Sequence, residues 1–213
     1  MRHRDGHPEA PARPRRGGFT LIELLTVIAI IGLLVSMVVP TLRSVFRALE
    51  KAKTRVRIQT LNNGAYQYRM EATGNKFFPG QEFPELIQNR GSAYLARALY
   101  TDANDFFPTG TYAAYEKDML DDETGAYSNN VPYTILDTYP DPMPILYYPA
   151  WLSGAQYRKT DNNIYLNAEN DTGTFASFVM ADNNVPNNSG EFLVFAAGRD
   201  RKYFSADDVK NWK

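Results

Sequence analysis

The longest uninterrupted apolar run in the chain lies near its N-terminus. From Phe19 to Val39 the only ionisable side chain is that of Glu23. Twenty-one residues of α-helix rise about 31 Å, which matches the roughly 30 Å of hydrocarbon in a bilayer. The run therefore predicts a membrane-spanning helix, and a carboxylate inside it is costly enough to indicate a specific use.

Beyond this run the apolar positions keep helical spacing, but on one face only. This pattern predicts a single helix from about 19 to 73, ending near Thr73-Gly74, with Pro40 bending it rather than ending it. Cations are interspersed with the apolar stripe, and we interpret them as a solvated face with headgroup contact. The apolar positions are Leu42, Val45, Phe46, Leu49, Ala52 and Val56, and the cations are Arg43, Arg47, Lys51, Lys53, Arg55 and Arg57.

The remaining residues predict a small head, so the fold class is α+β. A short helix is expected at about 92–100, and apolar runs predict strands at 143–150 and 192–198, with 174–181 a weaker third candidate. Residues 101–144 are rich in turn-forming residues and predict a variable surface excursion. A small antiparallel sheet packed on the long helix is the expected arrangement.

The composition limits the kinds of binding and catalytic site that the chain can contain. The chain has 213 residues, no cysteine and a formal net charge of −1, which argues against the basic face of a nucleic-acid binder. Both histidines, His3 and His7, lie at the N-terminus, so the rest of the chain lacks Ser-His-Asp, Cys-His and the usual zinc sites. No enzymatic activity is expected. A distant alternative is a membrane-anchored hydrolase or binding module that uses acidic pairs such as Asp121-Asp122.

Two ordinary explanations of the apolar run are a secretory signal peptide and a single-span anchor with its arginines in the cytoplasm. The run is longer than the usual signal-peptide core of about 7–15 residues, and no small-x-small cleavage site follows Val39. Neither explanation accounts for Glu23 or for the glycine pair before Phe19.

The stretch Gly18-Phe19-Thr20-Leu21-Ile22-Glu23 resembles the type III leader site of type IV pilins and type II secretion pseudopilins. The resemblance implies that a prepilin peptidase cleaves after Gly18 and N-methylates Phe19. It also matches Glu23 to the family's acidic assembly residue and Pro40 to its helix-kinking proline. The implied boundaries are a leader at 1–18, a transmembrane half-helix at 19–40, an amphipathic half-helix at 41–73 and a head at 74–213.

Cleavage after Gly18 would give the Glu23 carboxylate a chemical use. The new N-terminus of Phe19 carries a cationic amine in or near lipid, where an isolated charge is very costly without a carboxylate partner. Glu23 lies one helical turn from its own amine, and a carboxylate in the first turn suits the helix dipole. The resemblance implies a sharper role, in which Glu23 neutralises the Phe19 amine of a neighbouring subunit.

Three aspartates, Asp200, Asp207 and Asp208, flank a turn after the last predicted strand. Carboxylates gathered by a loop suit a hard cation such as Ca²⁺, which takes six to eight oxygen ligands. The spacing is not that of an EF-hand, and acidic surface loops without a metal are common.

The ending at 198–213 is similar to the C-terminal loop of the major, G-type pseudopilins. That resemblance implies a calcium site formed by Asp200, Asp208 and the backbone carbonyls of Ala197 and Ala206, with Asp207 a further candidate ligand. Arg201 stands where the recognised pattern has glycine. Its guanidinium could replace the metal through an ion pair with Asp200.

The resemblance implies a structural subunit of a type II secretion pseudopilus, which polymerises through its N-terminal helix and drives protein export across the outer membrane. The implied partners are further copies, the prepilin peptidase/methylase, minor pseudopilins and the inner-membrane assembly platform. The chain would span the bacterial inner membrane once, with its N-terminus cytoplasmic and its head periplasmic, in a periplasmic pseudopilus. A surface type IV pilin for adhesion, motility or DNA uptake is the alternative.

Overall fold

The computed structural model describes most of the chain, in two compact units that divide between Val45 and Phe46. The predicted leader, apart from Gly18, and most of the 101–144 excursion lie outside the described residues. The described residues are 18–81, 87, 89–100, 112–113, 119–122, 133–151, 157–171, 173–181 and 185–212.

Helix α1 runs from Leu21 to Glu71. In the first unit every described residue up to Val45 is exposed, although most of them are apolar. By length and composition, this part of α1 could cross a membrane. Pro40 lies inside α1 and does not end it. Its missing N–H leaves the Ser36 carbonyl without its usual helical partner, so a bend at this point remains a prediction.

Helix α1 ends two residues before the predicted stop. Gly74 has a φ of +61° and Asn75 a φ of +67°, both in the left-handed region that reverses the chain after a helix. The Asn75 N–H donates to the Arg69 carbonyl at 2.8 Å, which satisfies one of the last helical acceptors. The glycine signal in the sequence therefore located this end correctly to within a turn.

The main sheet of the head has three antiparallel strands in the order β3-β4-β5. Tyr147 lies opposite Val194, and Phe195 lies opposite Lys210. A separate antiparallel pair, β1-β2, lies within the predicted excursion. The strands are β1 (Leu120–Asp122), β2 (Tyr133–Ile135), β3 (Leu146–Pro149), β4 (Phe192–Ala196) and β5 (Val209–Lys210).

The sequence predictions for the head are confirmed in outline and wrong in three places. The overall α+β class, a helix α2 at Gly91–Tyr100 and strands β3 and β4 agree with the structure. The weaker candidate strand at 174–181 is instead helix α3, Phe175–Val179, because its phenylalanines and valine follow helical rather than alternating spacing. The sequence analysis missed strand β5. The excursion is not all surface, since Ile135 of β2 is fully buried.

Both faces of the β3-β4 pair are covered. Tyr147 and Phe192 pack in one apolar cluster with residues of α1 and α2, including Leu61. Tyr148 and Phe195 point to the opposite face and pack in a second cluster. That second cluster is completed by α3 and by the chain segment that follows β4. Burial on both faces explains why these strands read as continuous apolar runs rather than as alternating ones.

Asp161 is a buried carboxylate at one end of this head. It lies in 3₁₀ turns at Lys159–Tyr165 and accepts a hydrogen bond from the Trp151 indole N–H at 3.0 Å. Burial raises the pKa of Asp161 to about 6, although the Trp151 hydrogen bond and the Arg158 charge oppose the shift. The folded protein therefore holds this proton at a pH where the unfolded chain has released it.

We expect Asp161→Asn to reduce the pH dependence of stability. Because the folded pKa is raised, Asp161 favours the folded state below about pH 4, and this contribution is lost as the pH rises to about 6. The loss is at most about 3 kcal/mol, at roughly 1.4 kcal/mol for each pKa unit. Asparagine keeps an oxygen acceptor for Trp151 without the charge. Between pH 4.5 and pH 7, the free energy of unfolding of the variant should therefore fall less than that of the wild type.

Urea unfolding of the detergent-solubilised chain at both pH values, followed by tryptophan fluorescence, measures this difference. Burial also raises the pKa of Asp137 to about 6, so Asp137 makes the stability of both proteins depend on pH. The effect of Asp161 is therefore the difference in pH dependence between the wild type and Asp161→Asn. Equal pH dependence in wild type and Asp161→Asn would show that Asp161 titrates normally in the folded state.

Candidate functional site

The start of α1 is organised around Thr20 and Glu23. The Thr20 backbone N–H and side-chain hydroxyl donate to Glu23 Oε2 at 2.8 and 2.7 Å, and the Glu23 N–H donates to Thr20 Oγ1 at 3.3 Å. This reciprocal arrangement is a capping box, which satisfies donors that the first helical turn leaves free. The sequence analysis missed it, although the Thr-x-x-Glu spacing was readable.

The predicted cleavage site lies immediately before this cap. Gly18 and Phe19 precede the helix and are exposed, and the Phe19 side chain is 79% accessible. A peptide bond outside regular structure is accessible to a peptidase, whereas one inside a helix is not until the helix opens. The capping box therefore fixes the first helical residue two positions beyond the predicted mature N-terminus.

The second candidate site is the segment 198–208, here called the acidic loop, between β4 and β5. It is attached to the sheet by two aromatic side chains, Tyr203 and Phe204, which are buried in the second apolar cluster with Phe195. The Tyr203 hydroxyl also donates to the Pro144 carbonyl at 2.6 Å. The loop is therefore part of the packed head rather than a free appendage.

The acidic loop brings its three aspartates together. Asp200, Asp207 and Asp208 each place a carboxylate oxygen within 4.8 Å of the other two. Ser205 Oγ lies between two of them, at 2.6 Å from Asp207 Oδ1 and 2.9 Å from Asp208 Oδ1. The Phe204 N–H donates to Asp208 Oδ2 at 2.9 Å. The predicted pair therefore becomes a group of three, in which Asp207 is a full member.

Burial differs sharply among these carboxylates. Asp200 is exposed, whereas Asp208 is only 6% accessible. Burial raises the pKa of Asp208 to about 7 despite the hydrogen bonds from Ser205 and Phe204. Burial acts in the same direction on Asp207, but hydrogen bonds from Ser205 and from the Asp200 backbone outweigh it and hold the pKa of Asp207 below its usual value. The loop thus gathers three carboxyl groups at a partly buried point, where Asp208 keeps its proton to a higher pH than Asp207 does.

The two arginines within the acidic loop, Arg199 and Arg201, form ion pairs with acidic residues outside it. Arg201 was considered as an alternative to a metal, through an ion pair with Asp200, but its Nε instead lies 3.4 Å from Asp141 Oδ2. Arg199 lies 3.7 Å from Glu50 of α1. Arg201 adopts a φ of +59°, in the left-handed region where the recognised pattern has glycine. Its backbone therefore fits the turn, while its guanidinium forms an ion pair outside the carboxylate group.

Gly198 has a steric role in this turn that sequence reasoning did not assign. A Cβ at this position would collide with the Asp207 carboxylate. The Gly198 carbonyl accepts a hydrogen bond from the Arg201 N–H at 3.1 Å. Ala197 lies buried directly after β4 and Ala206 is exposed directly before Asp207, so their carbonyls as ligands remain a prediction.

The acidic pair considered for a hydrolase falls on β1. The side chains of Asp121 and Asp122 lie outside the described residues, so that hypothesis has only the sequence behind it.

Comparison with known proteins bears on the N-terminal site. The prokaryotic N-terminal methylation motif matches residues 13–39, which include Gly18, Phe19, Glu23 and the whole apolar run. The chain is also 30% identical over 88 residues to the type II secretion system core protein G of Aeromonas hydrophila. That alignment covers 41% of this chain and 60% of the relative. No solved structure matches the chain significantly.

The apolar, exposed start of α1 and the methylation motif fit a single-pass inner-membrane protein. The chain therefore carries an N-terminal methylation motif and, over 41% of its length, is similar to a type II secretion system core protein G.

Proposed function

We propose that this chain is a subunit of a type II secretion pseudopilus that polymerises through α1 and drives protein export across the outer membrane. The observation that carries the proposal is the exposed Gly18-Phe19 bond directly before a helix whose first turn holds Glu23, within a matched methylation motif. No catalytic role is assigned to the chain.

The first proposed step is processing. A prepilin peptidase cleaves between Gly18 and Phe19 and methylates the new amine, which leaves a mature chain of residues 19–213. Lateral packing of exposed apolar helices then joins the copies. Glu23 of one copy neutralises the Phe19 amine of a neighbour, because leaving either charge unpaired in a lipid-like environment is strongly unfavourable.

The proposed location follows from the same elements. The arginine-rich segment before Gly18 stays in the cytoplasm, as expected for positive charges beside a spanning helix, and the head lies in the periplasm. Minor pseudopilins and the inner-membrane assembly platform are the further proposed partners. A secretion pseudopilus is favoured over a surface pilus because the matched relative carries a type II secretion name.

Glu23→Gln separates capping from charge neutralisation. Glutamine retains the side-chain oxygen that a capping box needs but carries no charge. We therefore expect Glu23→Gln to be cleaved and methylated normally, yet to assemble at least tenfold less than the wild type, about the loss produced by 1.4 kcal/mol. Thr20→Ala is the matched control, because it removes the Thr20 hydroxyl from the capping box and retains the carboxylate, and it should still assemble.

Intact mass and N-terminal sequencing from membranes that contain the peptidase measure processing, and sedimentation of filaments measures assembly. Normal assembly of Glu23→Gln together with failure of Thr20→Ala would assign Glu23 to the helix cap alone. A wild-type chain that keeps Met1, or that is cut beyond Val39, would rule out the pseudopilin proposal itself.

The acidic loop is proposed to bind Ca²⁺. The donor set fits a hard cation, because three carboxylates converge. Among the described residues, Arg199 forms its ion pair with Glu50 and Arg201 with Asp141, rather than with these three carboxylates. Asp200, Asp207 and Asp208 would hold the ion, with the Ala197 and Ala206 carbonyls as the proposed backbone ligands. The bound charge would offset carboxylate repulsion and so stabilise the loop and the sheet face that it covers.

We expect Ca²⁺ to raise the thermal unfolding temperature of the chain in detergent, and Asp208→Asn to abolish that increase. A ligand at 100 times its Kd adds about 2.7 kcal/mol to stability, which corresponds to several degrees. Asp141→Asn is the matched control, since it removes a neighbouring exposed carboxylate that pairs with Arg201. The response to Ca²⁺, rather than the starting temperature, is compared. An equal response in both variants, or none in the wild type, would rule out this site.

A further inference from the structure

One face of α1 carries a row of unpartnered cations within the second unit. Arg47, Lys51 and Arg55 follow one another at intervals of four residues, and all three are exposed. Side chains at this spacing are neighbours on a helix surface, so the three charges form a row about 12 Å long. We call these three residues the cation row.

The cation row has no counter-charge within the described part of the chain. None of its three members takes part in a recorded ion pair there. Glu50, which is adjacent to Lys51, directs its carboxylate to Arg199 instead. Like charges at four-residue intervals oppose helix formation, so an isolated chain gains nothing from this arrangement. The row is better explained by an acidic partner.

The chain itself contains a segment of matching charge. Residues 116–123 carry five acids and one lysine, a net charge of −4, which is far more acidic than the chain as a whole at −1. Part of this segment is the extended strand β1. The acids are Glu116, Asp118, Asp121, Asp122 and Glu123.

We infer that the cation row is a docking surface for the acidic segment 116–123 of a second copy of this chain. The inference rests on the proposed function, since assembly is what brings copies together. Charge complementarity of this kind fixes register and orientation more than it adds affinity. The row would therefore select one relative position among the many that packing of apolar helices allows.

A membrane surface is the less suitable partner. A headgroup layer crossed by a helix meets cations at one level around that helix, whereas Arg47, Lys51 and Arg55 are arranged along its axis. Eight residues can span up to about 26 Å, so a segment of this length is long enough to reach along a 12 Å row. Lipid binding is the competing outcome of the test.

The test uses two full-length copies with different tags, co-expressed with a prepilin peptidase. The first keeps the cation row but has all five acids of 116–123 changed to their amides. The second keeps those acids but has Arg47, Lys51 and Arg55 changed to glutamine. A zero-length carbodiimide cross-link between Lys51 and segment 116–123 can then form only between copies, and mass spectrometry of the doubly tagged product identifies it.

We expect this cross-link to exceed, by about tenfold, the yield obtained when the first copy keeps Lys51 but has Arg47 and Arg55 changed to glutamine, an effect on the scale of a few exposed ion pairs. It should fall sharply in 1 M salt, where the screening length is about 3 Å. Lys53→Gln in the first copy is the matched control, because Lys53 lies on the same helix outside the row, and it should leave the yield unchanged.

Doubly tagged assemblies without the Lys51 cross-link would overturn the inference. So would row variants that assemble normally but lose binding to vesicles of anionic phospholipid, which would assign the row to the membrane. If wild-type copies are neither cleaved after Gly18 nor assembled, the proposed function fails and the inference with it. Cleaved, assembled wild-type copies without the cross-link refute the inference alone.

Discussion

The head depends on covering both faces of the β3-β4 pair. Each strand is only four or five residues long, and all of its residues are buried, so neither face can be left to water. Helices α1 and α2 cover one face. The other is covered by α3 and the acidic loop, whose Tyr203 and Phe204 surround Phe195. Buried aromatic rings contribute large apolar areas, so this loop is held by the core and not by its polar residues.

That anchoring explains how the loop can hold three carboxylates together. Asp208 lies only four residues after Phe204, and its carboxylate is drawn below the surface next to a backbone N–H and the Ser205 hydroxyl. Repulsion among the carboxylates opposes this geometry, while burial of the adjacent rings favours it. Burial of the rings therefore holds together carboxylates that repel one another, and a bound cation would reduce that repulsion. The neighbouring arginines do not provide this relief, because Glu50 and Asp141 hold them.

The sequence predicted those features that depend on local pattern. Apolar spacing identified α1, continuous apolar runs identified β3 and β4, and the group of aspartates identified the acidic loop. The segment 174–181 was misassigned because its short apolar run was interpreted as a strand, although Phe175, Phe178 and Val179 follow helical spacing. Strand β5 has two residues and exists only because β4 offers it an edge. The direction of the Arg201 side chain likewise depends on Asp141, which lies 60 residues earlier in the chain and is close only in the folded head.

The capping box does not compete with the proposed assembly role of Glu23. In the described part of the chain, the hydrogen bonds recorded for this carboxylate all reach Oε2, from the Thr20 N–H and hydroxyl. A carboxylate has further lone pairs, and Oε1 can accept from an ammonium without releasing the cap. The cap also fixes the rotamer of Glu23 before a neighbour arrives, which lowers the entropy lost on pairing. In the proposed filament, one carboxylate would therefore begin its own helix and neutralise the Phe19 amine of the adjacent copy.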